Sequence, residues 1–293
     1  MKLLPAVATA ATAGLAYCLV EARTYALRQL SLPAPEGVAG LRALHISDLH
    51  LAPWDKDRAA WVAGLARLNP DVVIASGDFL AHQQSMPLIS RALSPLMKFP
   101  GVFVLGSNDY FAPRLKNPLR YLGKNTQRVH GAPLPTTELT TLMTSNGWLD
   151  LDNQRGTLNV DGALLEFRGT GDAHIRYDDY GLVAGDWKST SQLRVSVTHA
   201  PYARVLTAMA ADSPDVIFAG HTHGGQITIP FVTALTTNSD LPVRQARGLS
   251  SVANPLGGDI PLHVSAGVGT SPFFPVRLGC RPEATLLTFT AAH

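Results

Sequence analysis

The sequence predicts an α/β fold, and three observations carry that prediction. From residue 41 onward, short apolar runs alternate with helix-period segments, the βαβ rhythm that sets a parallel or mixed sheet among helices. Several of those runs stop at groups rich in Asp, His and Asn, and in α/β folds sites assemble at the carboxyl edge of the sheet. The chain is also long enough, since 293 residues with 46% hydrophobic side chains can bury a large core. A disulfide scaffold, a disordered tail and a fibrous repeat are excluded.

The first element is the charge-free run from Leu3 to Val20. At 1.5 Å per residue it makes a helix of about 27 Å, close to the roughly 30 Å of a bilayer core, so it reads first as an uncleaved membrane anchor. A cleaved signal and a soluble packing helix are the other readings, because Ala, Gly and Thr dilute the run. Lys2 precedes it and Arg23 and Arg28 follow, which gives a weak preference for a cytoplasmic catalytic portion. Residues 21–30 continue helical in character, residues 31–40 carry Pro and Gly and read as a linker, and the catalytic domain is expected over residues 41–293.

Within that domain, strands are expected at 41–47, 71–76 and 102–106, with helices at about 55–68 and 85–97. A helix near 112–124 and a shorter element near 137–146 come next, then a hairpin turning at Asp161-Gly162. The second half supplies a strand at 193–199, a helix at about 202–211, and strands at 215–220, 262–266 and 284–290. The stretch from Pro230 to Gly258, rich in Thr, Asn, Ser, Pro and Gly, reads as a long surface loop bordering the site. Lys and Arg number 24 against 22 Asp and Glu, a net charge of +2 with no basic cluster, so nucleic acid is not an expected partner. Cys18 and Cys280 read as small buried hydrophobes rather than a disulfide.

The chemistry concentrates where strands stop. Asp48-Leu49-His50, Gly77-Asp78, Gly106-Ser107-Asn108-Asp109, Thr198-His199-Ala200-Pro201 and Gly220-His221-Thr222-His223-Gly224-Gly225 together supply oxygen and nitrogen ligands without a thiolate. Such a set suits Mn²⁺, Fe²⁺, Zn²⁺, Co²⁺ or Mg²⁺. Alternation along an extended segment would turn Asp48 and His50 to one side, and a carboxylate at Asp78 could place one oxygen on each of two ions. His174, in the segment GTGDAHIRYDD, is a candidate for lining the site.

In this order and spacing, DLH, GDF, GSND, VTHAP and GHTHGGQ resemble the calcineurin-like metallophosphoesterase superfamily over about residues 41–290. The resemblance is to its bacterial branch with an N-terminal hydrophobic segment before one catalytic domain. It implies a four-layer α/β/β/α sandwich and two divalent ions. Asp48, His50, Asp78 and His223 would hold one ion, and Asp78, Asn108, His199 and His221 the other. One block departs from the family pattern, where GNH offers Asn and then a His that protonates the leaving oxygen. Here Asn108 stands as the ligand and Asp109 follows it, so Asp109 or His174 is expected to be the proton donor.

The implied reaction is hydrolysis of a phosphoester by water activated between two ions. An apolar N-terminus favours a lipid-linked substrate reached at a membrane, beside a nucleotide-type phosphodiester. A phosphomonoesterase, a soluble nucleotide phosphodiesterase and a noncatalytic metal-stabilised scaffold are the alternatives. No GxSxG elbow, Walker A sequence or GxGxxG fingerprint competes with this reading.

Overall fold

Alternation within single strands decides the layering. In β2 (Arg42–Ile46), Leu44 and Ile46 join one apolar cluster while Ala43 joins another, because successive side chains point to opposite faces of a sheet. The same division holds in β3 (Val72–Ser76), where Val73 and Ala75 go one way and Val72 and Ile74 the other. A strand buried on both faces needs a layer on each. The computed structural model, which describes residues 3–114, 130–229, 233–234 and 237–291, supplies those layers.

The first sheet runs β1 (Ala26–Ala34), β14 (Glu283–Ala291), β2, β3, β4 (Gly101–Val104) and β5 (Leu149–Asp150). The second runs β12 (Gly248–Ala253), β13 (Asp259–Val264), β9 (Val216–Ala219), β8 (Leu193–Thr198), β7 (Ala163–Gly169) and β6 (Arg155–Val160). Both are mixed, with β2, β3 and β4 parallel in one and β7, β8 and β9 parallel in the other. Val72, Ile74, Val102 and Val104 from the first sheet meet Val195, Val197, Val216 and Phe218 from the second in the middle of the molecule. Outside the first sheet pack α2 (Lys56–Gly64), α3 (Met86–Leu93) and α5 (Thr136–Ser145), which contribute Val62, Ile89 and Leu139. Outside the second, α6 (Ala203–Ala211) covers Ile217, Ala219, Leu262 and Val264. Helix, sheet, sheet and helix make the α/β/β/α sandwich that the resemblance implied.

Three expectations change. Residues 26–34 form β1, parallel to β14 with Leu32 opposite Phe289, where a helical extension and a linker were expected. The strand is half-exposed at the sheet edge and carries Pro33, so its periodicity is faint, and its partner lies at the far end of the chain. The membrane anchor is not supported either. The N-terminal helix α1 (Leu3–Glu21) rises about 28 Å and is diluted by Ala, Thr and Gly. Among the described residues no helix is long and apolar enough to cross a membrane. The last turn of α1 rests on the domain: the Cys18 carbonyl accepts from the Arg277 N–H at 3.2 Å, and Glu21 Oε2 from the Gly279 N–H at 3.0 Å. Neither membrane association nor a compartment is therefore carried forward. The helix expected near 112–124 falls mostly outside the described residues, as do parts of the 230–258 loop. Both cysteines are free thiols, Cys280 buried and Cys18 half-buried.

Candidate metal centre

The ligand-type residues all follow strand ends, and most of them take a conformation that L-residues resist. Beyond β2, Asp48 has φ 51° and His50 φ 41°; beyond β3, Asp78 has φ 57°; beyond β9, His221 and His223 have φ 69° and 51°. These are left-handed values, so Asp48 and His50 converge through a twisted turn rather than the extended alternation expected of them. Left-handed non-glycine residues cost on the order of 1 kcal/mol or more each and cluster at functional sites. The surroundings enforce the turn. The Asp48 and His50 N–H groups donate to the Gly77 and Asp78 carbonyls, each at 2.9 Å, and the Arg58 guanidinium donates to the His50 carbonyl at 2.7 Å. Gly106 and Gly220 let the backbone come in close, since a Cβ on Gly106 would strike the Asp78 carboxylate and one on Gly220 the Ser47 hydroxyl.

Two groups of side chains result. Asp48, His50 and His223 form one, and Asp78, His199 and His221 the other, with ligand atoms in each group all within 4.8 Å of one another. Asp78 joins them: its Oδ2 lies 3.4 Å from His50 Nε2 and 3.4 Å from His199 Nε2. His50 Nε2 and His223 Nε2 are 3.1 Å apart, a close approach of two aromatic nitrogens that a shared cation would relieve. The Asn108 amide lies against Asp78, its Nδ2 at 2.7 Å from Oδ2 and its backbone N–H at 2.8 Å from Oδ1.

The second nitrogen of several rings is already engaged, which leaves the first for a metal. His199 donates from Nδ1 to the Ser76 carbonyl at 2.6 Å, and its buried Nε2 has no hydrogen-bond partner. His221 Nε2 meets the Asn238 carbonyl at 3.2 Å, which turns Nδ1 inward, and His223 Nδ1 lies 3.2 Å from the Gly269 carbonyl. Burial drives His50 down to about 4 and holds His221 and His223 well below the usual range, so these rings are neutral near pH 7. His199 behaves oppositely: burial lowers it, but Asp78, Asp172 and Asp48 together lift it well above the usual value, while His199 in turn draws Asp78 well down against its burial. Burial raises Asp48 to about 6. Three neutral imidazoles and His199, whose buried Nε2 has no hydrogen-bond partner, surround Asp48 and Asp78, the donor set of a centre for two divalent ions.

A model of the calcineurin-like phosphoesterase family matches residues 41–225. The chain belongs to this family. Similar curated proteins include phosphodiesterase YaeI of Escherichia coli, strain K12, 27% identical over 267 residues and covering 86% of this chain and 83% of that one. The uncharacterized metallophosphoesterase YkuE of Bacillus subtilis, strain 168, is 25% identical over 271 residues, covering 88% and 82%. With the two-group centre, membership makes the chain a metal-dependent phosphoesterase.

Beside the centre, the two expected proton donors part company. His174 reaches it, its ring centroid 4.7 Å from that of His221 and its Nδ1 3.0 Å from the Tyr202 hydroxyl. Asp109 turns away. Its Oδ1 accepts from the Phe79 and Leu80 N–H groups at 2.7 and 3.0 Å, and its Oδ2 from Asp78 and Gly106 at 2.8 and 2.9 Å. Burial and the nearby Asp78 charge push Asp109 up to about 8, against the Gly106 and Leu80 N–H groups, which favour its carboxylate. Even so, every lone pair faces an N–H, so no direction is left from which to deliver a proton to substrate. Asp109 is a positioning residue for the turn that carries Asp78.

Two side chains of the centre were not singled out from sequence. Arg277 is wholly buried and donates to the Ala266, Gly267 and Gly269 carbonyls at 2.8, 3.1 and 2.7 Å, fixing the turn behind His223. No local motif announces it. Asp172 is also wholly buried, in the loop after β7, and the strand-end rule that found Asp78 would have found it.

Proposed function

We propose that this protein hydrolyses a phosphodiester at a two-ion centre in which Asp48, His50, Asp78 and His223 hold one ion and Asp78, Asn108, His199 and His221 the other. The observation that carries this reading is the Asp78 Oδ2, equidistant at 3.4 Å from a histidine of each group. Bound divalent ions supply Lewis acidity, which makes water a nucleophile near neutral pH and offsets charge on the phosphoryl oxygens. The chain does the rest. Asp78 would be shared by the two ions, the Ser47 hydroxyl at 2.5 Å and the His221 N–H at 3.0 Å fix the Asp48 carboxylate, and Asn108 would offer its amide oxygen in place of the N–H₂ that meets Asp78. His174, oriented by the Tyr202 hydroxyl, protonates the leaving oxygen. The diester preference is supported by the name of the E. coli relative, a phosphodiesterase.

The test is metal analysis joined to turnover. Wild-type protein loaded with Mn²⁺ should hold two ions and cleave an aryl phosphodiester, and Asp78→Asn should lose both properties. Full rate with two tightly held ions in that variant would sink the ligand assignment, and faster turnover of monoesters than diesters would overturn the diester reading. His174→Asn should slow esters with alkoxide leaving groups by about 10²-fold or more while sparing nitrophenyl esters, which need no acid. Equal losses on both would give His174 another role.

A further inference from the structure

The loop between β7 and β8 holds a carboxylate that none of the assignments above uses. Asp172 is wholly buried; its Oδ1 accepts the His174 N–H at 2.8 Å, and the Ser107 N–H also faces the carboxylate. Its Oδ2 is buried with no hydrogen-bond partner. A buried carboxylate oxygen left unpaired costs a protein several kcal/mol unless a cation or donor completes it. The loop that imposes this cost is itself well built. The Gly171 and Asp179 N–H groups donate to Asn153 Oδ1 at 3.0 and 2.7 Å, Tyr177 N–H donates to the Asp172 carbonyl at 2.9 Å, and Thr170 bonds Thr198 at 3.1 Å. The placement of Asp172 is therefore held by the loop.

The charges that act most on this carboxylate, His199 and Asp78, belong to the second ligand group. Asp172 interacts electrostatically with His199 and with Asp78, two of its three members. The loop's His174 lies with its ring centroid 4.7 Å from that of His221, the third, the two rings tilted by 45°. His199 Nε2, another buried atom without a hydrogen-bond partner, belongs to the same group. Asp172 nevertheless stands outside the set of atoms that lie within 4.8 Å of one another, so it is not a fourth member of the tight cluster.

We infer that Asp172 is a positioning residue of the second metal position, an outer carboxylate that selects for a divalent cation between Asp78, His199 and His221 and sets how tightly that cation is held. The inference rests on the two-ion reading above. Its chemistry follows from charge count: Asp78 is shared between both positions, and the remaining second-position ligands, His199, His221 and Asn108, are neutral donors when they bind. An additional negative charge close by favours a divalent ion there over an empty site. Outer-shell carboxylates of this kind are worth about 10- to 100-fold in metal affinity.

Asp172→Asn keeps the shape and the acceptor for the His174 N–H while removing the charge. Calorimetric titration of chelator-stripped protein with Mn²⁺ should show the first ion binding as in wild type and the second about 10- to 100-fold more weakly. The melting temperature of the stripped variant should equal or exceed that of wild type, because the orphaned charge is gone. Two ions bound with wild-type affinities would overturn the inference, as would a lowered melting temperature with unchanged affinity, the signature of a merely structural residue. Asp172→Ala checks that the Asn amide has not substituted for the carboxylate, and should weaken the second ion as well. If wild-type protein itself takes up no Mn²⁺, the two-ion reading fails, and that failure is distinct from a variant that binds like wild type.

Discussion

The four N–H groups around Asp109 come from two turns, Asp78–Leu80 after β3 and Gly106 after β4, so one carboxylate ties together the backbone that presents Asp78 and Asn108. Asp109→Asn would set an amide N–H₂ against at least two of those donors. The metal-free variant should lose about 2–3 kcal/mol of stability in urea denaturation, the cost of leaving buried donors unpaired. A loss under about 0.5 kcal/mol would show that the carboxylate is not the tie. This residue also marks where sequence reading of the site ran out. The two-residue spacing of Asp48 with His50 and of His221 with His223 was legible, because strand ends and short spacings bring ligands together whatever the detailed backbone. Which way Asp109 turns depends on its place three residues after Gly106, at the start of the short helix Ser107–Tyr110, where an acidic side chain reaches back to the N–H before the helix. Read with that rule, GSND describes a capping acid instead of a proton donor.

Elements were legible in proportion to how much of their partner lay nearby. The strands β2, β3, β8 and β9 are buried on both faces and bounded by turns, so apolar runs alone disclose them. The edge strand β1 is different in kind: its first five residues are half or fully exposed, and only Leu32 and Ala34 are buried. What makes it a strand is pairing along its whole length with β14, a contact of very large sequence separation that no local window contains. Leu32 then contributes to the core between the sheets. Leu32→Ala should accordingly cost about 2–3 kcal/mol in equilibrium unfolding, as a buried leucine does. A linker residue would cost about 0.5 kcal/mol or less, and that outcome would detach β1 from the sandwich. α1 shows the complementary error: its charge-free composition suggests an anchor, yet among the described residues no helix is long and apolar enough to cross a membrane.

At the scale of the molecule, the two sheets share more than apolar contact. His45 on β2 and His263 on β13 meet across the central core with their Nδ1 atoms 2.8 Å apart, Phe218 lies edge-on to His45, and His45 Nε2 reaches the Ser76 hydroxyl at 2.8 Å. One proton suffices for the Nδ1 pair, so both rings are neutral as folded. Burial, and for His45 also the neighbouring His263, depresses both: His263 falls to about 4 and His45 lies well below its ordinary value. Above about pH 6.5 folded and unfolded histidines are both neutral, and the pair leaves stability independent of pH. Between that value and about 4 the unfolded chain takes up protons that the folded one refuses, so stability falls as pH falls. For His263 alone the loss from pH 7 to pH 5 is about 2 kcal/mol. Raised carboxylates such as Asp48 and Asp172 act in the opposite sense over the same range, which makes a difference measurement the decisive one. Urea denaturation of chelated wild type and His263→Leu at pH 7 and pH 5 should show the variant losing less stability on acidification by about that amount. Equal losses in the two proteins would mean that the histidine pair does not govern how acid parts the two sheets.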